Sequence, residues 1–360
     1  MASQILPMVA AVILVSQSLW AQQALAQAEE PLVPALIIIG DSTVDVGNNN
    51  GLVTVIKSNF GPYGRDFSAG PTGRFCNGKI IPDYVAEFIG IPYPMAYLDP
   101  AAKGSAILTG INTASSASGF YEGTAKNFNV IPLSQQMVWI KDWQRQVTDQ
   151  VGPARAATIF EEGIFVVSTG SNDYVNNYYL NILLQEKYNQ DQYRTLLLDC
   201  TIGLLKEMYA TGAKRIAVVG MPPLGCLPSQ IKLRLGTNKC VDSLNQNAID
   251  FNAALKVEVD KMMPSMPDAK IVLLDSYSYI YDAFHNPAKY GLKKTSEACC
   301  GTGTVEVAIL CNEASPGTCQ NADEYLFWDS FHPSSKFNAG IARYFFDTAV
   351  KAFGLVRKQK

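Results

Sequence analysis

Five short apolar runs, each followed by helical or loop-rich sequence, restrict the fold more than any other feature of the chain. They are Ala35–Ile39, Ala106–Leu108 continuing to Ile111, Ile164–Val167, Arg215–Val219 and Lys270–Leu274. Runs without polar alternation read as strands buried on both faces, the mark of a parallel sheet covered by helices. Between them, apolar residues three and four apart predict helices over Ile81–Ile89, Tyr193–Tyr209, Ser243–Met263 and Ser335–Phe353. This alternation predicts an α/β fold, a three-layer sandwich around a central, mostly parallel five-stranded sheet. Right-handed crossovers then bring the carboxyl ends of all strands to one edge, where open sheets bind ligands. No Pro-, Gly- or Ser-rich linker and no repeat interrupts the pattern, so residues 29–360 read as one domain.

The segment before it is of a different kind. Ile5–Trp20 is mostly apolar and uncharged, and small residues follow at Ala24, Ala26 and Ala28. This reads as a secretory signal over residues 1–28, cut near Ala26 to Ala28. A membrane anchor is the competing reading, disfavoured by the shortness of the run and by Gln17 and Ser18 within it. No later stretch is long enough to span a bilayer, so the mature chain is expected to have no transmembrane segment. The eight cysteines suit an oxidising compartment. Six of them, Cys226, Cys240, Cys299, Cys300, Cys311 and Cys319, lie in loop-like sequence, and adjacent Cys299 and Cys300 should bond to different partners. Cys76 and Cys200 are expected to be free. The lack of a C-x-x-C pair and the presence of two histidines in the whole chain argue against a zinc site. A net charge of −3 without basic runs argues against nucleic acid or an anionic membrane as partner. Nothing in the sequence sets an oligomeric state.

The chemistry-bearing residues fall at strand ends. The first strand runs into Gly40-Asp41-Ser42, which exposes a serine at the ligand edge; a helix N-cap is the alternative. The third runs into Ser168-Thr-Gly-Ser-Asn172-Asp173, a polar cluster that also suits a turn. Near the C-terminus, Asp329 and His332 stand three apart in Phe327-Trp-Asp-Ser-Phe-His-Pro333. At that spacing the carboxylate can hold one ring nitrogen and leave the other for a nucleophile. His285 has no acid placed nearby and reads as a loop residue. Gly73–Ile80 nearly spells a P-loop but has Ile80 where a Ser or Thr is required. Asp45–Gly51 lacks the ligand alternation of a calcium loop, and no G-x-S-x-G elbow is present. The tyrosines of Tyr174–Tyr179 read as core or lid packing, with a lining role in a pocket as the alternative.

Taken in order, these pieces and the blocks around them resemble the plant GDSL esterase/lipase family, a branch of the SGNH hydrolases. The matching blocks are Gly40–Asn50, Pro62–Phe67, Pro71–Phe75 with Asn77-Gly78, Gly170–Asp173, Gly220–Pro228, Cys299–Gly303 and Phe327–Pro333. They span nearly the whole chain after the signal. The resemblance implies the flavodoxin-like fold of that superfamily, with Ser42 as nucleophile, His332 as base and Asp329 as its orienter. It implies an oxyanion hole formed by the backbone N–H of Ser42, the side-chain amide of Asn172 and a backbone N–H on the loop after the second strand. That loop is Asn112-Thr-Ala-Ser-Ser-Ala-Ser-Gly119, where Ser116 and Ala117 replace two glycines usual in the family. Ala117 takes the role, with Ser116 or Gly119 as alternatives. Thr43 stands where the family usually has Leu, and should alter packing or pocket polarity beside the nucleophile.

The function so implied is hydrolysis of a small-molecule or lipid ester outside the cytoplasm (apoplast, cell wall, or a secretory or vacuolar lumen) through an acyl-enzyme, without metal or cofactor. Transfer of the acyl group to an alcohol, or an inactive wall or lipid-binding protein on the same fold, are the alternatives. Acyl length and alcohol identity are expected to depend on loops such as Val53–Ser68 and Phe120–Pro132.

Overall fold

The computed structural model describes residues 30–234 and 237–356. The expected secretory segment therefore lies outside the described residues. Five strands, β1 (Leu36–Gly40), β2 (Gly110–Asn112), β3 (Ile164–Ser168), β4 (Arg215–Val219) and β5 (Lys270–Leu274), form one sheet in the order β2-β1-β3-β4-β5. Every neighbouring pair is parallel, so all five carboxyl ends share an edge. β1 is an interior strand, between β2 and β3, and is buried along its whole length. The helices are α1 (Ile81–Ile89), α2 (Glu122–Lys126), α3 (Leu133–Val151), α4 (Pro153–Glu162), α5 (Ile182–Lys187), α6 (Gln190–Ala210), α7 (Pro228–Arg234), α8 (Asp242–Met262), α9 (Ser276–His285) and α10 (Ser335–Phe353). Successive strand side chains point to opposite faces. Leu36, Ile38, Val166 and Ala217 meet Ile81 and Val85 of α1 and Phe345 and Phe346 of α10. α3 packs on β1, and α6 on α8. The result is the expected three-layer α/β sandwich with a parallel five-stranded sheet.

Local chemistry explains the helix limits. Asn189 and Gln192 close a reciprocal capping box at the start of α6, each side chain accepting the other's backbone N–H at 2.9 Å. Ser334 caps α10, and Gly354 ends it in the left-handed conformation at φ 67°.

Two sequence expectations change. The second apolar run is not strand throughout: Gly104–Ile107 is a 3-10 turn, and β2 begins at Gly110. Ile107 is buried by that turn, and its carbonyl accepts the Trp143 indole N–H at 2.8 Å, so its apolarity serves packing rather than pairing. Gly110, at φ 126°, lets β2 reach β1, because a Cβ there would lie 1.9 Å from the Leu36 carbonyl oxygen. His285 is the last residue of α9 rather than a loop residue, with Nδ1 on the Tyr281 carbonyl at 2.9 Å.

Three disulfides form, Cys226–Cys240, Cys299–Cys319 and Cys300–Cys311. Cys299 and Cys300 do take different partners, and Cys76 and Cys200 are free thiols. A second, two-stranded parallel sheet pairs β6 (Lys294–Ala298) with β7 (Tyr325–Phe327).

Candidate active site

Ser42 follows β1 immediately. Gly40 permits the approach to β3 there, since a Cβ would meet the Ser168 carbonyl oxygen at 2.1 Å. The chain then turns, with the backbone N–H groups of Val44 and Asp45 on the Asp41 carbonyl. Asp41 steadies the turn by accepting from the Thr43 N–H at 2.9 Å and the Thr43 hydroxyl at 2.8 Å. The same Thr43 oxygen lies 2.8 Å from Ser168 Oγ. The departure from Leu at this position thus adds a polar link between the loops after β1 and β3.

The opposite half of the site sits on the turn after β7. His332 Nδ1 lies 2.7 Å from Asp329 Oδ1 and 2.8 Å from Oδ2, and Nε2 lies 2.7 Å from Ser42 Oγ. The geometry joins Ser42 to the Asp329–His332 pair across most of the sequence. Asp329 is fully buried yet well solvated by protein: it accepts from the N–H of Phe331 (2.9 Å), the N–H of His332 (2.8 Å) and the Tyr63 hydroxyl (2.8 Å). The Tyr63 oxygen in turn accepts the Ala308 N–H at 2.9 Å. Burial, and then the negative charge of Asp329, push the Tyr63 hydroxyl well above the usual tyrosine range, so it remains a donor. The Phe75 ring packs on the His332 ring at 4.9 Å.

The remaining expected residues converge on the same cavity. Ala117 sits at φ 68° in the cavity wall, and its backbone N–H, like that of Ser42, has no hydrogen-bond partner among the described residues. The Ser116 N–H is taken by Asp45 at 3.0 Å, and Gly119 does not line the cavity. Asn172 Nδ2 donates to the Ser118 carbonyl at 2.9 Å and reaches Asp41 Oδ2 at 3.3 Å, while Asn176 donates to its Oδ1.

The cavity, about 140 Å³, holds Ser42, Ala117, Asn172 and His332 in its wall and continues along apolar side chains. Of the two loops expected to shape it, the first contributes Ile56; residues 120–132 contribute nothing. Its deeper walls come instead from Val219–Leu227, α9 and α10. The tyrosine patch belongs to the core: Tyr174 and Tyr178 pack edge-on at 6.3 Å, and Tyr178 stacks on Tyr193 at 4.6 Å. Sequence reasoning assigned no role to Tyr63, although it lies in the Pro62–Phe67 block. That block and Asn77 are supports. Arg65 covers the Trp328 ring at 4.8 Å, and Asn77 bridges Asp66 (2.7 Å) to the first N–H of α10 (2.9 Å).

Residues 36–345 match the family described as GDSL-like Lipase/Acylhydrolase. Among curated proteins of Arabidopsis thaliana, GDSL esterase/lipase At5g03810 is 48% identical over 317 residues, covering 87% of this chain and 90% of the relative. GDSL esterase/lipase APG is 45% identical over 315 residues, covering 86% and 89%. Among solved structures, Axe2, an acetylxylan esterase from Geobacillus stearothermophilus, shares 14% identity at a TM-score of 0.38, covering 91% of this chain and 97% of that one; a likeness so distant bears on neither substrate nor mechanism. With a match across most of its length and relatives this close, the chain belongs to the GDSL-like lipase/acylhydrolase family and is a serine ester hydrolase.

Proposed function

We propose that the protein hydrolyses carboxylic esters through a covalent intermediate on Ser42. The observation that carries this reading is the unbroken chain Ser42 Oγ–His332–Asp329, with contacts of 2.7 Å on both sides of the imidazole. His332 takes the Ser42 proton as Oγ bonds to the ester carbonyl carbon. The tetrahedral oxyanion collapses, the C–O bond to the alcohol breaks, and His332 returns the proton to the leaving alkoxide. Water then attacks the acyl-enzyme, with His332 again taking and returning one proton, and the carboxylic acid and free Ser42 result. Asp329 holds the tautomer and steadies the imidazolium.

The free N–H groups of Ser42 and Ala117 supply two oxyanion donors. The Asn172 amide supplies the third by exchanging its long 3.3 Å contact with Asp41 for the oxyanion. Loss of one such donor costs about 3 kcal/mol in the transition state. The secretory signal over residues 1–28 and the three disulfides support maturation in the secretory pathway and function outside the cytoplasm. Consistently, no helix among the described residues is long and apolar enough to cross a membrane.

The test is turnover of p-nitrophenyl esters by the protein and its Ser42→Ala variant. Activity lost in the variant, with labelling of Ser42 by an organophosphonate in the parent, is the expected result. A folded parent that neither turns over nor is labelled would overturn the reading. Product analysis with an added alcohol shows how the acyl-enzyme partitions between water and acyl transfer.

A further inference from the structure

The cavity does not end at the catalytic residues. Besides Ser42, its wall includes Ile280, Phe327, Ile341 and Phe345, the last two on α10. A second cavity of about 30 Å³ lies beyond, between the sheet and α1 with α10, and only apolar residues line it. The two cavities share three wall residues: Ile81 at the start of α1, Val219 at the end of β4, and Phe345. Ile56 and Ala308 also line the first cavity, and their chain neighbours Val55 and Ile309 stand 58% and 51% exposed.

An apolar void in a protein interior stays dry and takes up hydrocarbon in preference to water. A row of such surface leading away from a nucleophile favours the part of an ester that carries the most methylenes. We propose that the acyl group of the substrate is a long hydrocarbon chain that leaves Ser42 inward, toward the layer between the sheet and α1 with α10, and that Ile81, Val219 and Phe345 form the septum that sets its length. This rests on Ser42 being the nucleophile.

Each methylene buried along this path adds roughly fourfold to kcat/KM until the septum is reached. Beyond that point further carbons add nothing, because they must fold back or displace Phe345, which is itself buried. Removing the septum side chain joins the two cavities, and enlarging Ile81 closes the path earlier.

The experiment is the kcat/KM profile on p-nitrophenyl esters from acetyl to palmitoyl, for the parent, Ile81→Trp and Phe345→Ala, each checked for a native thermal transition. Expected are a parent profile that climbs with chain length to a plateau, a lauroyl-to-acetyl ratio at least about tenfold lower in Ile81→Trp, and a plateau moved to longer chains in Phe345→Ala. A ratio unchanged in both folded variants overturns the septum and leaves the hydrolase reading intact.

A second measurement avoids substitution. The parent is reacted with p-nitrophenyl dodecylphosphonate: Ser42 Oγ bonds to phosphorus, p-nitrophenolate leaves, and His332 takes the serine proton. A crystal structure of the adduct with the dodecyl chain along Ile341 and Phe345 supports the proposal. A phosphonylated Ser42 with the chain directed to solvent overturns it alone, and no phosphonylation overturns it together with the nucleophile assignment.

Discussion

The two halves of the site are fastened by opposite means. On the Ser42 side, buried carboxylates hold loop to loop. Asp45 accepts from the N–H groups of Gly47 and Asn48 on its own loop, and from the N–H and hydroxyl of Ser116 on the loop after β2. Asp173, after β3, accepts from the N–H groups of Phe120 and Tyr121 and from the Thr124 hydroxyl. On the His332 side, cystines and backbone hydrogen bonds do the fastening. The N–H groups of Cys299 and Cys300 donate to the carbonyls of Phe327 and Trp328, and the Trp328 N–H closes the turn on the His332 carbonyl. One half is therefore sensitive to protons and the other to reductant, and the Ser42–His332 contact and the Tyr63–Asp329 bond are among the ties between them at the site.

The sharpest way to separate the halves is to spoil the base while leaving its turn folded. Asp329→Asn should lower kcat about ten-thousandfold, because the amide favours the wrong imidazole tautomer. Steady-state kinetics on the purified variant checks this, and a loss below tenfold would show that the carboxylate does not orient His332. Next in size, Cys300→Ser with Cys311→Ser should cost about 3 kcal/mol of stability, from the chain entropy released in the unfolded state. Denaturant titration reads that loss. If the bridge braces the turn as described, kcat falls in the folded variant too, and unchanged kcat would confine the bridge to a global role.

The proton-sensitive half has a pH signature. Burial pushes the Asp173 carboxyl up to about 7, against the hydrogen bonds from Thr124, Phe120 and Tyr121, with the nearby charge of Asp41 adding to the rise. Its ordinary value is 3.8, so between the two values the native state binds more protons than the unfolded chain. Its contribution to stability is complete below the ordinary value and is lost as pH rises through about 7, at a slope of at most about 1.4 kcal/mol per pH unit. Melting temperatures over that range should fall less steeply with rising pH in Asp173→Asn than in the parent; parallel curves would remove Asp173 from the account. The smallest effect belongs to Ala117. Its left-handed backbone costs about 1 kcal/mol relative to an ordinary conformation, so Ala117→Gly should stabilise by up to that amount. A lowered melting temperature would show that the alanine side chain contributes packing that outweighs the strain.

Much of this was legible because it is local. The runs at Leu36–Gly40, Ile164–Ser168, Arg215–Val219 and Lys270–Leu274 are apolar where a strand is buried on both faces, and no partner need be known to read them. The start of β2 was misplaced because the strand is three residues long, starts with glycine and follows an apolar 3-10 turn. Ser42 and Asn172 were visible as strand-end residues, and Asp329 with His332 as a spaced pair. Tyr63 was not, since its bond to Asp329 spans 266 residues and nothing near Tyr63 announces it. Asp45 and Asp173 likewise gain their roles from loops that only the fold brings near. The cavity's depth depends on α10 meeting β4, which periodicity alone does not reveal.

The 290 residues between Ser42 and His332 also carry a consequence for synthesis. At ribosomal rates Ser42 is made roughly fifteen to sixty seconds before His332. On the mechanism proposed above, the nascent polypeptide carries a serine without its base throughout that interval and is inert toward every ester it meets in it.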